Sequence, residues 1–159
     1  MTNEELISGL KMKFPSAILS SGVYRDEPTI TVGRPEIVNV CRFLKDEWKF
    51  DSLRDLFGVD MNRPGERFAV VYNLYSLSTH ERLRLEVGVD EKECSVPTVT
   101  GVWPCANWYE RETYDMFGVS FAGHPDLRRI YMPEEFEYFP LRKDFPLMGI
   151  PDSLPLPKK

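Results

Sequence analysis

The sequence predicts an α+β domain, with an antiparallel or mixed sheet carrying helices on one face, followed by a long extended proline-rich tail. Three observations predict it. Leu83, Leu85, Val87 and Val89 alternate with Arg82, Arg84 and Glu86, the period of a strand with one wet face. Ile37, Cys41, Leu44 and Trp48, with Val40 beside them, recur at helical spacing. Six of the thirteen prolines fall between 133 and 159, where neither period survives.

In chain order, Thr2 and Glu5 form a capping-box pattern ahead of a short helix over 3–12, and Pro15 follows it. Residues 17–33 read as short strands broken by turns, clearest at 29–32. Pro35 opens a helix over 35–49 at its first-turn position. Next comes a strand that places Leu53, Phe57, Val59 and Met61 on one side. The run 68–77 is apolar on both faces, as a central strand or one covered by a partner would be. It forms a hairpin with 83–89 around a tip at 78–80. Residues 104–117 read as a helix, with Pro104 near its start and Gly118 just past its end. The chain thus divides into one α+β domain, 1–132, and a partner-binding tail, 133–159.

The 159 residues suit one domain, and 42% hydrophobic with 28% charged residues allows a packed core. A net charge of −5 argues against a phosphate-backbone binder. No apolar run reaches the roughly 18 residues that span a bilayer, and the first residues lack a signal-peptide core. The expected location is the cytoplasm or the cytoplasmic face of a membrane. Cys41, Cys94 and Cys105 include no CxxC, so they are expected to be reduced thiols without a zinc or iron–sulfur pattern.

The helix over 104–117 has charges and aromatics all round. Trp108, Arg111, Glu112 and Asp115 share one broad side; Glu110, Thr113, Tyr114 and Phe117 share the other. Such a helix is expected to be contacted on two sides, by its own body and by something else. Arg111 and Asp115 stand at i,i+4 and are expected to pair, leaving Glu110 and Glu112 to meet donors elsewhere. The blander account, a surface helix with incidental charges, would leave Trp108, Tyr109, Tyr114 and Phe117 partly exposed. Acid–base catalysis by Glu110, Glu112 or Asp115 would need convergent side chains, which neighbouring helix positions pointing apart do not give. Neither a nucleophile elbow nor an HExxH, Walker or GxGxxG motif is present. His80 is expected to be a solvated imidazole at the hairpin tip, and His124 to sit in the turn 123–126. The tail carries Phe136, Tyr138, Phe139, Leu141, Phe145, Leu147, Met148, Ile150, Leu154 and Leu156. An extended strip cannot bury these against itself, so a partner is expected to cover at least half of it.

The segment Glu110-Arg111-Glu112-x-x-Asp115-Met116-Phe117, followed by His124 and Arg128-Arg129-Ile130, closely resembles the signature of the thirty-kilodalton (C) subunit family of respiratory complex I. Trp108-Tyr109 before it and Pro140-Leu141-Arg142-Lys143-Asp144-Phe145-Pro146 after it also look like the family, while Arg128 stands where many relatives have Lys. The resemblance implies a structural component without catalytic, cofactor-binding or metal-binding residues. It would sit in the quinone module in the peripheral arm of a proton-translocating NADH:quinone oxidoreductase, on the cytoplasmic side of the bacterial inner membrane. Flavin, iron–sulfur clusters and quinone are then expected on other components of the complex. The implied partners are chiefly the D subunit, with the B and I subunits nearby, and neither nucleic acid nor a lipid core. The implied signature and interface positions are Trp108, Tyr109, Glu110, Arg111, Glu112, Asp115, Phe117, His124, Arg128, Arg129, Leu141, Arg142, Lys143, Asp144 and Phe145. Three other readings stay open: an equivalent component of a membrane-bound hydrogenase or other-donor complex, a stand-alone enzyme using Glu110, Glu112 or Asp115, and a simple interaction module.

Overall fold

A computed structural model describes residues 2–150. The first helix, α1 (Asn3–Lys13), starts on the expected capping box: the Thr2 side chain accepts the Glu5 N–H, and the Glu5 carboxylate accepts the Thr2 N–H at 2.8 Å. β1 (Ile18–Tyr24) and β2 (Glu27–Val32) form a hairpin. Arg25 and Asp26 at its tip both have positive φ, the two-residue turn whose twist matches antiparallel strands. A short 3-10 turn, Arg34–Glu36, contains Pro35 and leads into α2 (Ile37–Asp46). That helix stops short of the expected end at 49, and Lys49 takes a left-handed φ of 58°.

β3 (Ser52–Asp60), β4 (Phe68–Tyr75) and β5 (Arg82–Val89) complete a five-stranded sheet in the order β1-β2-β5-β4-β3. The hairpins are antiparallel, but β2 runs parallel to the central strand β5, so the sheet is mixed. A parallel neighbour needs a long crossover, and the chain from 33 to 81, with α2 in it, supplies one. Leu83, Leu85, Val87 and Val89 are buried as expected. Ile30, Val32, Ile37, Val40, Cys41, Leu44 and Leu56 belong to the same core, so the helices lie on one face of the sheet.

One expectation for β3 fails. Leu53 and Phe57 do not share a side, because a bulge between Leu53 and Asp55 resets the alternation. Leu53, Leu56 and Asp60 are buried, while Phe57 and Met61 are exposed. Beyond the sheet, β6 (Ser95–Pro97) pairs in parallel with β7 (Ser120–Ala122), and α3 (Ala106–Phe117) lies between them in sequence. Gly118 ends α3 in the left-handed conformation, φ 77°, which only glycine adopts freely. A side chain at Gly118 would also strike Phe139 and Arg142. Helix α3 packs on β3 through Gly58, where an added Cβ would come within 2.8 Å of Phe117 and Thr113. Residues 133–150 contain turns but neither helix nor strand, as expected for an extended tail. The expected apolar contacts of Leu154 and Leu156 lie outside the described residues.

Candidate functional site: a charged helix clasped by its own chain

The site grows from α3, whose buried residues include Glu110, Arg111 and Asp115. Burying ions is costly unless each finds partners, and all three do. The Asp115 carboxylate, fully shielded from solvent, receives three consecutive backbone N–H groups on Oδ2, from Ile130 (3.0 Å), Tyr131 (2.7 Å) and Met132 (3.1 Å). Arg129 closes the other oxygen at 2.8 Å and also donates to the Asp115 carbonyl. Burial alone would raise this carboxyl, but the three N–H groups and Arg129 outweigh it and hold it below the usual range.

Arg111 does not pair with Asp115. Its Nε donates to the Arg128 carbonyl at 3.0 Å and its Nη2 to the Arg129 carbonyl at 3.4 Å, with the guanidinium 4.8 Å from the Trp108 ring centre. The expected i,i+4 pair fails for a physical reason: both residues grip the same backbone segment, Arg111 by its carbonyls and Asp115 by its N–H groups. The contact with its own body expected for this helix is supplied, over 128–132, by these hydrogen bonds. Trp108 is 61% exposed and Glu112 is exposed, so that edge of α3 stays open.

The clasp continues. Arg129 donates to the Tyr138 carbonyl and lies 5.2 Å from the Phe139 ring. Leu141 N–H donates to the Met116 carbonyl, and Arg142 Nε to the Phe117 carbonyl at 2.7 Å, with its guanidinium 4.4 Å from Phe139. Lys143 contributes its backbone N–H, which donates to Asp60 at 2.8 Å. Asp144 pairs with Arg67 at 2.9 Å, and Arg67 also pairs with Asp60 at 3.0 Å. Burial would raise Asp60, but Arg67 and the N–H groups of Lys143 and Asn62 outweigh it and bring it down to about 2. Phe145 reaches the buried Phe136 at 6.4 Å between ring centres. Residues 133–145 thus make several contacts with their own domain, although only Phe136 among them is buried. Leu141, Leu147 and Met148 remain exposed, at 54%, 103% and 95%.

On the opposite side of α3, Glu110 accepts the Thr98 hydroxyl at 2.5 Å and the Val99 N–H at 2.8 Å. His124 follows the turn at Gly123, as expected. Its side chain is fully buried; Nδ1 accepts the Asp126 N–H, Nε2 donates to the Asn107 carbonyl, and Nε2 lies 3.9 Å from Glu110. His80 is exposed and bonded to the Tyr75 hydroxyl. Tyr109 donates to the Arg54 carbonyl, Phe117 packs on Gly58, and Arg128 forms an exposed bidentate pair with Asp126. The three cysteines are free.

Sequence reasoning missed Asp60, Arg67 and Thr98. A signal existed for the first: Asp60 falls between Val59 and Met61, so its carboxylate points to the face away from theirs. Nothing in the sequence identified Arg67 as the partner of Asp60 or Thr98 as the partner of Glu110.

These features define an α+β domain whose buried charges hold its own backbone in place. A family model described as "Respiratory-chain NADH dehydrogenase, 30 Kd subunit" matches residues 30–151. The C subunit of the NADH-quinone oxidoreductase of Geobacter sulfurreducens is 47% identical over 154 residues, covering 96% of this chain and 94% of that one. The C 2 subunit of the NADH-quinone oxidoreductase of Rhizobium meliloti is 50% identical over 143 residues, covering 89% and 78%. Among solved structures, a trypsin-resistant fragment (1–134) of Nqo5 superposes with a TM-score of 0.67 at 32% identity, covering 80% of this chain and 100% of that one. A chain of the membrane-bound sulfane sulfur reductase, an archaeal respiratory membrane complex, gives 0.79 at 26% identity, covering 93% and 88%. The chain belongs to the family of the 30-kilodalton (C) subunit of respiratory-chain NADH dehydrogenase.

Proposed function

We propose that the chain is a non-catalytic structural and assembly subunit of the quinone module in the peripheral arm of a proton-translocating NADH:quinone oxidoreductase. It carries no flavin, cluster or quinone site and lies on the cytoplasmic face of the membrane, packed chiefly on the D subunit with the B and I subunits nearby. One observation carries this reading: the buried charges of the family signature engage the chain's own backbone, Asp115 and Arg111 on 128–132 and Glu110 on Thr98 and Val99. Groups engaged in this way shape a surface rather than meet a substrate. The exposed Trp108, Leu141, Leu147 and Met148 supply apolar area for a neighbouring protein of the complex.

The test is replacement of the genomic copy by a tagged Asp115→Ala chain. The expected result is less assembled complex in the membrane, with normal NADH:quinone turnover per complex that forms. Full assembly with lost turnover would assign the signature to chemistry instead. The likeness to a chain of the sulfane sulfur reductase complex favours a second reading, an equivalent component of a complex with another electron donor. Pull-down of the tagged wild-type chain from membranes decides between them: flavin and NADH oxidation in the eluate support the first reading, and their absence supports the second.

A further inference from the structure

Glu110 sits in an unusual setting for a carboxylate. Its side chain is fully buried, and its hydrogen-bond partners are neutral, the Thr98 hydroxyl and the Val99 N–H. The titratable groups facing it are Cys41 from α2, Tyr72 from β4 and His124 from the turn after β7. Burial pushes both Cys41 and Tyr72 up, so both stay neutral beside Glu110. The His124 hydrogen on Nε2 is directed to the Asn107 carbonyl.

A line of hydroxyls leads outward. Glu110 Oε2 is 2.5 Å from Thr98 Oγ1, and Thr98 Oγ1 is 2.9 Å from Thr100 Oγ1, on a residue that is partly exposed. Both protonation states of the carboxyl leave this line satisfied. With Glu110 ionised, Thr98 donates to Oε2 and Thr100 donates to Thr98. With Glu110 protonated, its O–H donates to Thr98 Oγ1 and Thr98 donates to Thr100. Backbone N–H, Arg and Lys partners can only donate to a carboxyl, whereas hydroxyls both donate and accept and so serve either protonation state.

We propose that Glu110 is a buried proton-binding site whose proton exchanges with solvent along the Thr98 and Thr100 hydroxyls, without opening of the 98–100 turn. On release, the Glu110 proton passes to Thr98 Oγ1 as the Thr98 proton passes to Thr100 Oγ1 and the Thr100 proton passes to water. One proton leaves, one carboxylate remains, and the two hydroxyls are left in the ionised-state pattern, so uptake of a proton is the same relay in reverse. Desolvation by burial, opposed by the Thr98 and Val99 hydrogen bonds, raises the carboxyl to about 7, so both states are populated near neutrality. The site is internal to this chain and does not depend on which complex it joins.

Infrared spectroscopy of the full chain tests it. The protonated-carboxyl C=O band that Glu110→Gln removes is followed with pH, and its isotope shift is timed after mixing into heavy water at about pH 5.5, where the site is mostly protonated. The expected result is a band that fades with a midpoint near 7. Its isotope shift should be equally fast in wild type and Thr98→Ser, and slowed by about tenfold or more in Thr98→Val, where exchange must await local opening. Thr100→Ala breaks only the outer link and should slow exchange too, which covers the case of a Thr98→Val chain that does not fold. The absence of any Glu110-dependent band at pH 5.5 overturns the site. Exchange at the wild-type rate in the hydroxyl-deleted variants overturns the route.

Discussion

The sheet body and the clasp around α3 lie side by side and are held by different forces. In the body, Leu44, Leu56, Val70, Leu85 and their neighbours are buried, and each contributes about 1.5–3 kcal/mol through non-directional removal from water. In the clasp the buried groups are Glu110, Arg111 and Asp115, and each is satisfied by particular atoms of the backbone beside it. The body therefore tolerates apolar exchange at similar volume, whereas the clasp requires defined charges in a defined geometry. Through the acid and neutral range the body should also be indifferent to pH, and the clasp should not.

The largest expected difference is at Asp115. Asp115→Ala strands three N–H groups and the 9%-exposed Arg129 side chain, and removing one partner of such a buried pair costs about 3–5 kcal/mol. Leu85→Ala, a matched change in the body, costs a similar 2–5 kcal/mol, roughly the range for buried leucine. Urea denaturation at several pH values separates the two. The Leu85→Ala deficit should stay constant with pH, and the Asp115→Ala deficit should shrink as pH falls, because the lowered Asp115 carboxyl contributes only while ionised. Parallel pH profiles for the two variants would break the comparison.

Glu110 sharpens it with the opposite sign. Its carboxyl is raised from 4.5 to about 7 on folding, so the native state holds a proton that the unfolded chain has released. Stability is therefore lost as pH rises from 4.5 through 7, by up to about 3 kcal/mol. Glu110→Gln should not show this loss, and wild-type and variant stabilities should converge toward acid and diverge toward alkali. Asp60 gives a smaller effect in the other direction. Lowered from 3.8 to about 2, it contributes about 2 kcal/mol that is present above pH 3.8 and lost as pH falls through 2. Asp60→Asn should flatten that acid limb and free the Lys143–Asp144 segment for proteolysis. At the small end, Arg128→Ala removes an exposed pair with Asp126 and should leave the denaturation midpoint unchanged.

The same division separates what was legible in the sequence from what was not. The period-2 pattern at 83–89, the stripe at 37–44 and the Thr2–Glu5 capping box are local rules, and each was readable from neighbouring residues. The bulge after Leu53 was not, because one extra residue flips the faces of a strand without altering its composition. The partners of α3 were legible as residues but not as pairs. Arg111 and Asp115 satisfy the helical spacing rule, yet Asp115 meets Arg129 and Arg111 meets the carbonyls of Arg128 and Arg129, contacts fixed by where 128–132 crosses the helix. The need of 133–145 for an apolar surface was legible from its aromatics; that its own domain supplies part of that surface was not.

The central claim is that the family signature is an intramolecular clasp, formed before any partner arrives. Amide hydrogen exchange of Ile130, Tyr131 and Met132 in the isolated full chain tests it most directly. These amides donate to Asp115, so the account predicts strong protection in the wild-type chain alone and loss of that protection in Asp115→Ala, with the β4 and β5 amides still protected. Free exchange at all three positions in the isolated chain, with protection appearing only in the assembled complex, would contradict it.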